Sequence, residues 1–253
     1  PERIRALGLA VPGAVLSSEG LWQEGLRITG IHNLNIGEIF RQRYSLPVVV
    51  QDMARAITYY EKEMGSAKGY ANFVLFHVGV GVGAGVVMDG RLYEGAHGFP
   101  GEIGHLTVFP EGPVCRCGKR GCLETVISES GILRNFSERF GNSSPEVSSI
   151  GEIAGRAKTG DEKVCLFLSE IGENIGKAVV VLSALFDPDA VVISGSCSIL
   201  SPLIEEAVRT AVERETVPSM AGKVALLFSD YSFNQEAAGA ALLAFHQFWD
   251  EFS

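Results

Sequence analysis

Positive charge is in short supply in this chain. Its 253 residues carry 21 Lys and Arg against 30 Asp and Glu, a formal net charge of −9, and the pI is near 5.1. An acidic surface repels phosphate backbones, so the chain by itself is a poor partner for nucleic acid. Long hydrophobic runs are also missing: none approaches the roughly 20 apolar residues that a helical membrane span requires. Residues 1–20 lack the basic stretch and apolar core of a secretory leader. Cysteines number only five, an odd count that suits a metal site in a reducing compartment better than a disulfide framework. No repeat, low-complexity tract or Pro/Gly/Ser-rich linker interrupts the chain, so any two lobes share one continuous unit. These absences predict a cytoplasmic protein that contacts no membrane.

The composition is that of a globular protein, 46% hydrophobic and 20% charged, long enough for one large domain or two lobes. The chain opens on Pro1 and runs almost at once into an apolar stretch over residues 4–11, which reads as a piece of a longer gene product. Runs rich in β-branched and aromatic residues predict strands at 47–50, 73–78, 83–88, 190–194 and 224–228. Helical patterns lie between them, at 36–43, 54–64, 162–185, 201–213 and 235–248. In the longest, Val164, Leu168, Ile171, Ile175, Ala178 and Leu182 recur at three-and-four spacing, so one face is buried. Asn142-Ser143-Ser144-Pro145 has turn chemistry. Strands alternating with helices predict an α/β architecture.

Three of the cysteines fall within eight residues, Cys115, Cys117 and Cys122, and His105 lies ten positions upstream of the first. Thiolate and imidazole donors suit a tetrahedral zinc ion, and three Cys with one His is a common closed structural set. Unliganded thiols are the other reading of these residue types; a Cys115–Cys117 disulfide would rarely reach good geometry.

The spacing has a further meaning. Glu102 precedes His105 by three residues, and cysteines follow the histidine by ten, twelve and seventeen positions, with Glu124 at nineteen. This run, with its lead-in Gly95-Ala96-His97-Gly98-Phe99-Pro100, resembles the zinc-bearing signature of the ROK family, which contains bacterial sugar kinases and sugar-responsive repressors. The resemblance implies that His105, Cys115, Cys117 and Cys122 hold zinc, and that Glu102, His105 and Glu124 bind sugar hydroxyls. It extends over nearly the whole chain. Gly8 to Gly13 resembles the strand and proline–glycine turn at the sugar site. The segment from Gly30 to Phe40, the stretch Leu185-Phe186-Asp187-Pro188-Asp189, and the helix around Gly239-Ala240-Ala241 also match. The implied fold is the actin-like ATPase fold, with a sugar cleft between two lobes. The first lobe is residues 1–74, with the C-terminal helix 234–253 packing back; the second is 75–233, carrying the zinc loop 101–124.

The departures from the family pattern bear on activity. Family kinases carry an Asn-Asp pair after the strand at 47–50, the Asp acting as base. Aligned without gaps through Ala54-Arg55-Ala56 and Glu61, that pair falls on Asp52 and Met53, and methionine takes no proton. A one-residue slip restores Asp52 as the base but breaks the match at Arg55 and Glu61. In the gapless alignment Asp52 is a sugar-hydroxyl acceptor. The glycine run with Gly79, Gly81 and Gly83 resembles the family's second phosphate loop, but Val80 replaces a threonine, and a glycine-rich hairpin is the plainer reading. Ser194-Gly195-Ser196 stands where the adenosine pocket has a glycine triplet. The family's first phosphate turn, of the Asp-x-Gly-Gly-Thr type, belongs upstream of this chain. The resulting expectation is a non-catalytic, sugar-binding effector domain of a ROK-type transcriptional regulator. It would bind a monosaccharide or amino sugar at Gly13, Asp52, Glu102, His105 and Glu124, contact DNA only through an upstream helix-turn-helix, and form a homodimer or higher homo-oligomer. The alternative is an ATP-dependent sugar kinase cut from its N-terminal part, with Asp52 catalytic.

Overall fold

The computed structural model describes residues 4–25, 28, 30–141, 147–232 and 234–249. Along the chain lie β1 (Leu7–Val11), β2 (Ala14–Leu16), β3 (Leu21–Glu24), β4 (His32–Leu34), α1 (Ile36–Tyr44), β5 (Val48–Asp52) and α2 (Met53–Glu63). There follow β6 (Phe73–Val78), β7 (Val82–Met88), β8 (Arg91–Leu92), α3 (Glu124–Ile127), α4 (Glu129–Phe140), α5 (Ile150–Lys158) and α6 (Glu162–Phe186). The chain ends with β9 (Ala190–Ser194), α7 (Ser201–Glu215), β10 (Ala225–Phe228) and α8 (Gln235–Phe248). It divides into two compact units, residues 1–75, 84–101 and 232–253 in the first and 76–83 and 102–231 in the second. Residues 84–101, which the sequence reading assigns to the second lobe, cluster with the first unit.

In the first unit β1 and β5 run parallel, in a register that pairs Leu7 with Val48 and Val11 with Asp52. That register brings the Pro12-Gly13 turn and Asp52 to the same carboxyl end of the two strands, where open α/β sheets bind ligands. Val11, Val15, Trp22, Val48 and Val50 form a buried cluster, with Leu7, Leu9, Ile31 and Phe40 packed against it. Each fully buried side chain of this size is worth about 1.5–3 kcal/mol over its exposed state. Trp22 also donates from its indole N–H to the Pro12 carbonyl at 2.8 Å, which satisfies its one polar atom and ties down the turn. Helix α8 packs on α2 and β1. The approach is close: a Cβ on Gly239 would lie 1.8 Å from the Ala56 carbonyl oxygen.

The second unit is built round α6 and α7. All six residues of the apolar stripe read from α6 are buried. Strand β9 is buried throughout and pairs in parallel with β10. The sheet that contains them has the order β10-β9-β6-β7-β8, and the division between units falls within β6 and β7. Phe136 and Phe140 of α4 set their rings against Phe167 of α6, the first pair edge-on at 5.6 Å.

Some elements lie outside the sequence expectation. Strands β2, β3 and β4 form a three-stranded antiparallel sheet of three- and four-residue strands, too short for an alternation to register. Helices α4 and α5 carry interior glycines that lower their helical signal. Their N-caps are legible all the same: the Ser128 hydroxyl accepts from the Gly131 amide and the Ser149 hydroxyl from the Glu152 amide. The turn expected at 142–145 lies outside the described residues.

Candidate functional site

The loop after Glu102 turns through a single 3-10 stretch, Ile103–His105, before running out to the cysteines. Short backbone bridges, Thr107 to Cys122 and Val114 to Arg120, fold it back on itself. The Cys115 amide donates to the Lys119 carbonyl at 2.7 Å and closes the tight turn at Gly118. Lys119 Nζ reaches the His105 carbonyl at 2.6 Å. The result is one donor cluster. His105 Nδ1 lies 3.6 Å from Cys115 Sγ, Cys117 Sγ lies 3.6 Å from Cys122 Sγ, and all four donor atoms fall within 4.8 Å of one another.

These spacings fit a metal. Zinc–sulfur bonds of about 2.3 Å and zinc–nitrogen bonds of about 2.0 Å in a tetrahedron put neighbouring donors about 3.5–3.8 Å apart. Burial pushes the Cys122 thiol up to about 12. Burial also raises Cys115 above its ordinary value. At Cys117 burial acts the same way, but the Lys119 amide and the neighbouring thiols outweigh it and the thiol lies below its usual value. Three thiolates crowded together need a cation among them, and the cluster could hold one.

The other ring nitrogen of His105 faces away from the thiols, with Nε2 3.7 Å from a Glu102 carboxylate oxygen. When Nδ1 ligates a metal, Nε2 carries the hydrogen and becomes a fixed donor. Glu124 opens α3, and its carboxylate accepts from the Val82 amide at 3.3 Å. Glu102, His105 and Glu124 therefore belong to the second unit.

Gly13 and Asp52 belong to the first unit. Gly13 holds φ +95°, a left-handed turn that disfavours a side chain. Asp52 is the N-cap of α2: one carboxylate oxygen accepts from the Arg55 amide at 3.0 Å and the other pairs with the Arg55 side-chain Nε. Met53 is the first residue of the helix. Beside Asp52, the Gln51 side-chain oxygen accepts from the Asp52 amide and from the Ser17 hydroxyl, both at 3.0 Å, and its amide nitrogen donates to Glu94 at 3.1 Å. Gln51 and Glu94 also border a recess of about 640 Å³ within this unit. Sequence reasoning assigned no role to Gln51, Glu94 or Arg55.

Of the glycines resembling a phosphate loop, Gly79 and Gly81 form the turn of the β6–β7 hairpin, where the Gly79 amide donates to the Gly81 carbonyl at 2.9 Å, and Gly83 lies in β7. Val80 at its tip is exposed. The Gly79 carbonyl accepts from the Glu129 amide, and the Glu129 carboxylate accepts from the Ser196 hydroxyl at 3.1 Å. Ser196 Oγ lies 2.9 Å from where a Cβ on Gly79 would be. A carboxylate and a serine thus stand at this turn.

A profile of the ROK family matches residues 1–247. The chain belongs to the ROK family. Over 255 residues it is 28% identical to the xylose repressor of Bacillus subtilis, an alignment covering 99% of this chain and 63% of that protein. Over 245 residues it is 28% identical to a glucokinase of Thermotoga maritima, covering 93% of this chain and 77% of that enzyme. Among solved structures, a ROK family transcriptional regulator homologous to the E. coli MLC protein matches with a TM-score of 0.86 at 30% identity, over 96% of this chain and 62% of that one. The ROK chain therefore spans about three-fifths of the repressors it matches. Its fold is the actin-like ATPase fold of the family's sugar kinases. Repressors and kinases both stand among its relatives. Among the described residues no helix is long and apolar enough to cross a membrane.

Proposed function

We propose that this ROK chain is the sugar-binding effector domain of a transcriptional regulator, with a structural zinc and without kinase chemistry. The observation that carries the reading is the two-sided His105: Nδ1 turned to the thiols, Nε2 turned to Glu102. A metal held by His105, Cys115, Cys117 and Cys122 would fix the ring so that Nε2 presents a donor beside a carboxylate, a pair complementary to neighbouring sugar hydroxyls. Glu124 and, from the first unit, Asp52 and Gly13 complete the proposed contact set. Each Asp52 oxygen has one protein partner and keeps a lone pair for a hydroxyl. DNA contact is assigned to residues outside this chain, and the assembly to a homo-oligomer.

The absence of kinase chemistry is supported by Met53 at the first helical position and by the Glu129 carboxylate at the glycine turn, where it would repel a phosphate. The rival reading, a sugar kinase, draws on the glucokinase relative. Calorimetric titration of the full-length protein with pentoses, hexoses and N-acetylated hexosamines, with and without ATP, separates them. A sugar should bind with an affinity that ATP leaves unchanged. Binding of no sugar would end the effector reading, and sugar-dependent ATP consumption would favour the kinase.

A further inference from the structure

We propose that Arg55 is a positioning residue of the sugar site, holding Asp52 in its binding geometry. The inference rests on the sugar-binding reading above and adds a residue that neither family motif nor spacing assigns.

Arg55 is 1% exposed, and it is the largest of the fully buried side chains. A guanidinium removed from water is costly unless its charge and its donors are met. Here they are met by groups drawn from three segments of the first unit. Nε pairs with Asp52; Nη1 donates to the Glu94 carboxylate at 2.6 Å and reaches the Glu94 carbonyl at 3.3 Å. Nη2 donates to the Val15 carbonyl at 3.0 Å and the Gly98 carbonyl at 3.2 Å. Val15 lies two residues past Gly13, and Gly98 lies four residues before Glu102. The segment between Gly98 and Glu102 is itself anchored, since the Ala84 amide donates to the Gly101 carbonyl at 2.7 Å. One planar fork therefore joins the strand after the glycine turn, the carboxylate at the head of α2 and the loop that leads into the His105 region. Lysine, a point donor, cannot span these acceptors.

A role confined to stability makes a different forecast. Arg55 would then set the melting temperature while leaving the affinity of the folded protein unchanged and indifferent to Asp52. If Arg55 acts by positioning, its loss weakens sugar binding, and it does so largely through Asp52.

The test uses full-length protein and calorimetry with D-glucose, D-xylose and N-acetylglucosamine, following whichever binds tightest. Arg55→Lys should weaken that sugar roughly 10–100-fold, the scale seen when a supporting contact releases a binding group. Asp52→Asn should weaken it too. The double variant should lose much less than the product of the two single losses, as expected for residues acting as one. In Arg55→Ala, added methylguanidinium should restore part of the affinity. Should Arg55→Lys fail to fold, Glu94→Gln, whose side chain is half-exposed, reads the same coupling to Asp52. Arg55→Lys binding as wild type, or single losses that combine in full, overturns the positioning role while leaving the sugar reading intact. If wild-type protein binds none of the three sugars, the sugar reading falls and Arg55's role falls with it.

Discussion

Two glutamates flank His105 in sequence, three residues before it and nineteen after it, and different local elements place them. Glu102 sits at the entry to the single helical turn that contains His105, while Glu124 opens α3 and accepts from the Val82 amide. For each glutamate an amide oxygen could keep the contact shown, from the Val82 amide in one case and beside the His105 ring in the other. Removing its charge should therefore change ligand affinity more than fold. Glu124→Gln and Glu102→Gln are each expected to weaken the preferred sugar by about 1–3 kcal/mol, the cost of a buried hydroxyl left poorly paired. Their melting temperatures should stay near wild type. Calorimetry on the two variants checks this, and unchanged affinity in both would place the sugar elsewhere.

At the scale of elements the proposed metal loop would depend on its ligands. Between His105 and Cys122 the chain forms no helix or strand of its own, only turns and the bridges of Thr107 to Cys122 and Val114 to Arg120. Full-length protein purified without chelator is expected to carry about one zinc per chain by elemental analysis, since such a site contributes on the order of 10 kcal/mol to local folding. Less than about half an equivalent would sink the assignment. Acid should release the metal: burial holds Cys115 and Cys122 above ordinary thiol values, each must lose its proton to bind, and affinity therefore falls as pH falls. Helix α8 supplies a separate test. Gly239→Val forces a side chain onto the Ala56 carbonyl and should lower the melting temperature by on the order of 5 °C or more, read by calorimetric scan.

Which elements were legible follows from the same physics. The 25-residue α6 carries a stripe long enough to be read, and β6 and β9 are largely apolar, with four apolar residues in a row in each. The candidate metal ligands were legible because four chemically distinctive residues lie close in sequence. The β2–β4 sheet was not, its strands being too short to show a period. Nor was Arg55. Its acceptors include the carbonyls of Val15, Glu94 and Gly98, groups that every residue possesses and that spacing cannot mark.

For the whole molecule the question is whether a fold shared with kinases retains their reaction. Phosphoryl transfer relies on positioning and charge stabilisation more than on covalent chemistry, so the fold alone does not supply it. In this chain three features oppose it. Met53 stands at the first position of α2, and Asp52, one residue earlier, is the extended N-cap with its carboxylate tied to Arg55. Val80 offers no hydroxyl at the glycine turn, and the Glu129 carboxylate lies beside that turn, bonded to Ser196. Loss of a general base alone costs a factor of about 10²–10⁴ in rate, and a like charge facing the phosphates adds to it. The full-length protein is therefore expected to turn over ATP far below the roughly 1 s⁻¹ that marks the slow end of kinases. Coupled assays across common hexoses and N-acetylated hexosamines measure it. A rate at or above that value, abolished by Asp52→Asn, would mean that Asp52 is the base after all and that the protein is a kinase.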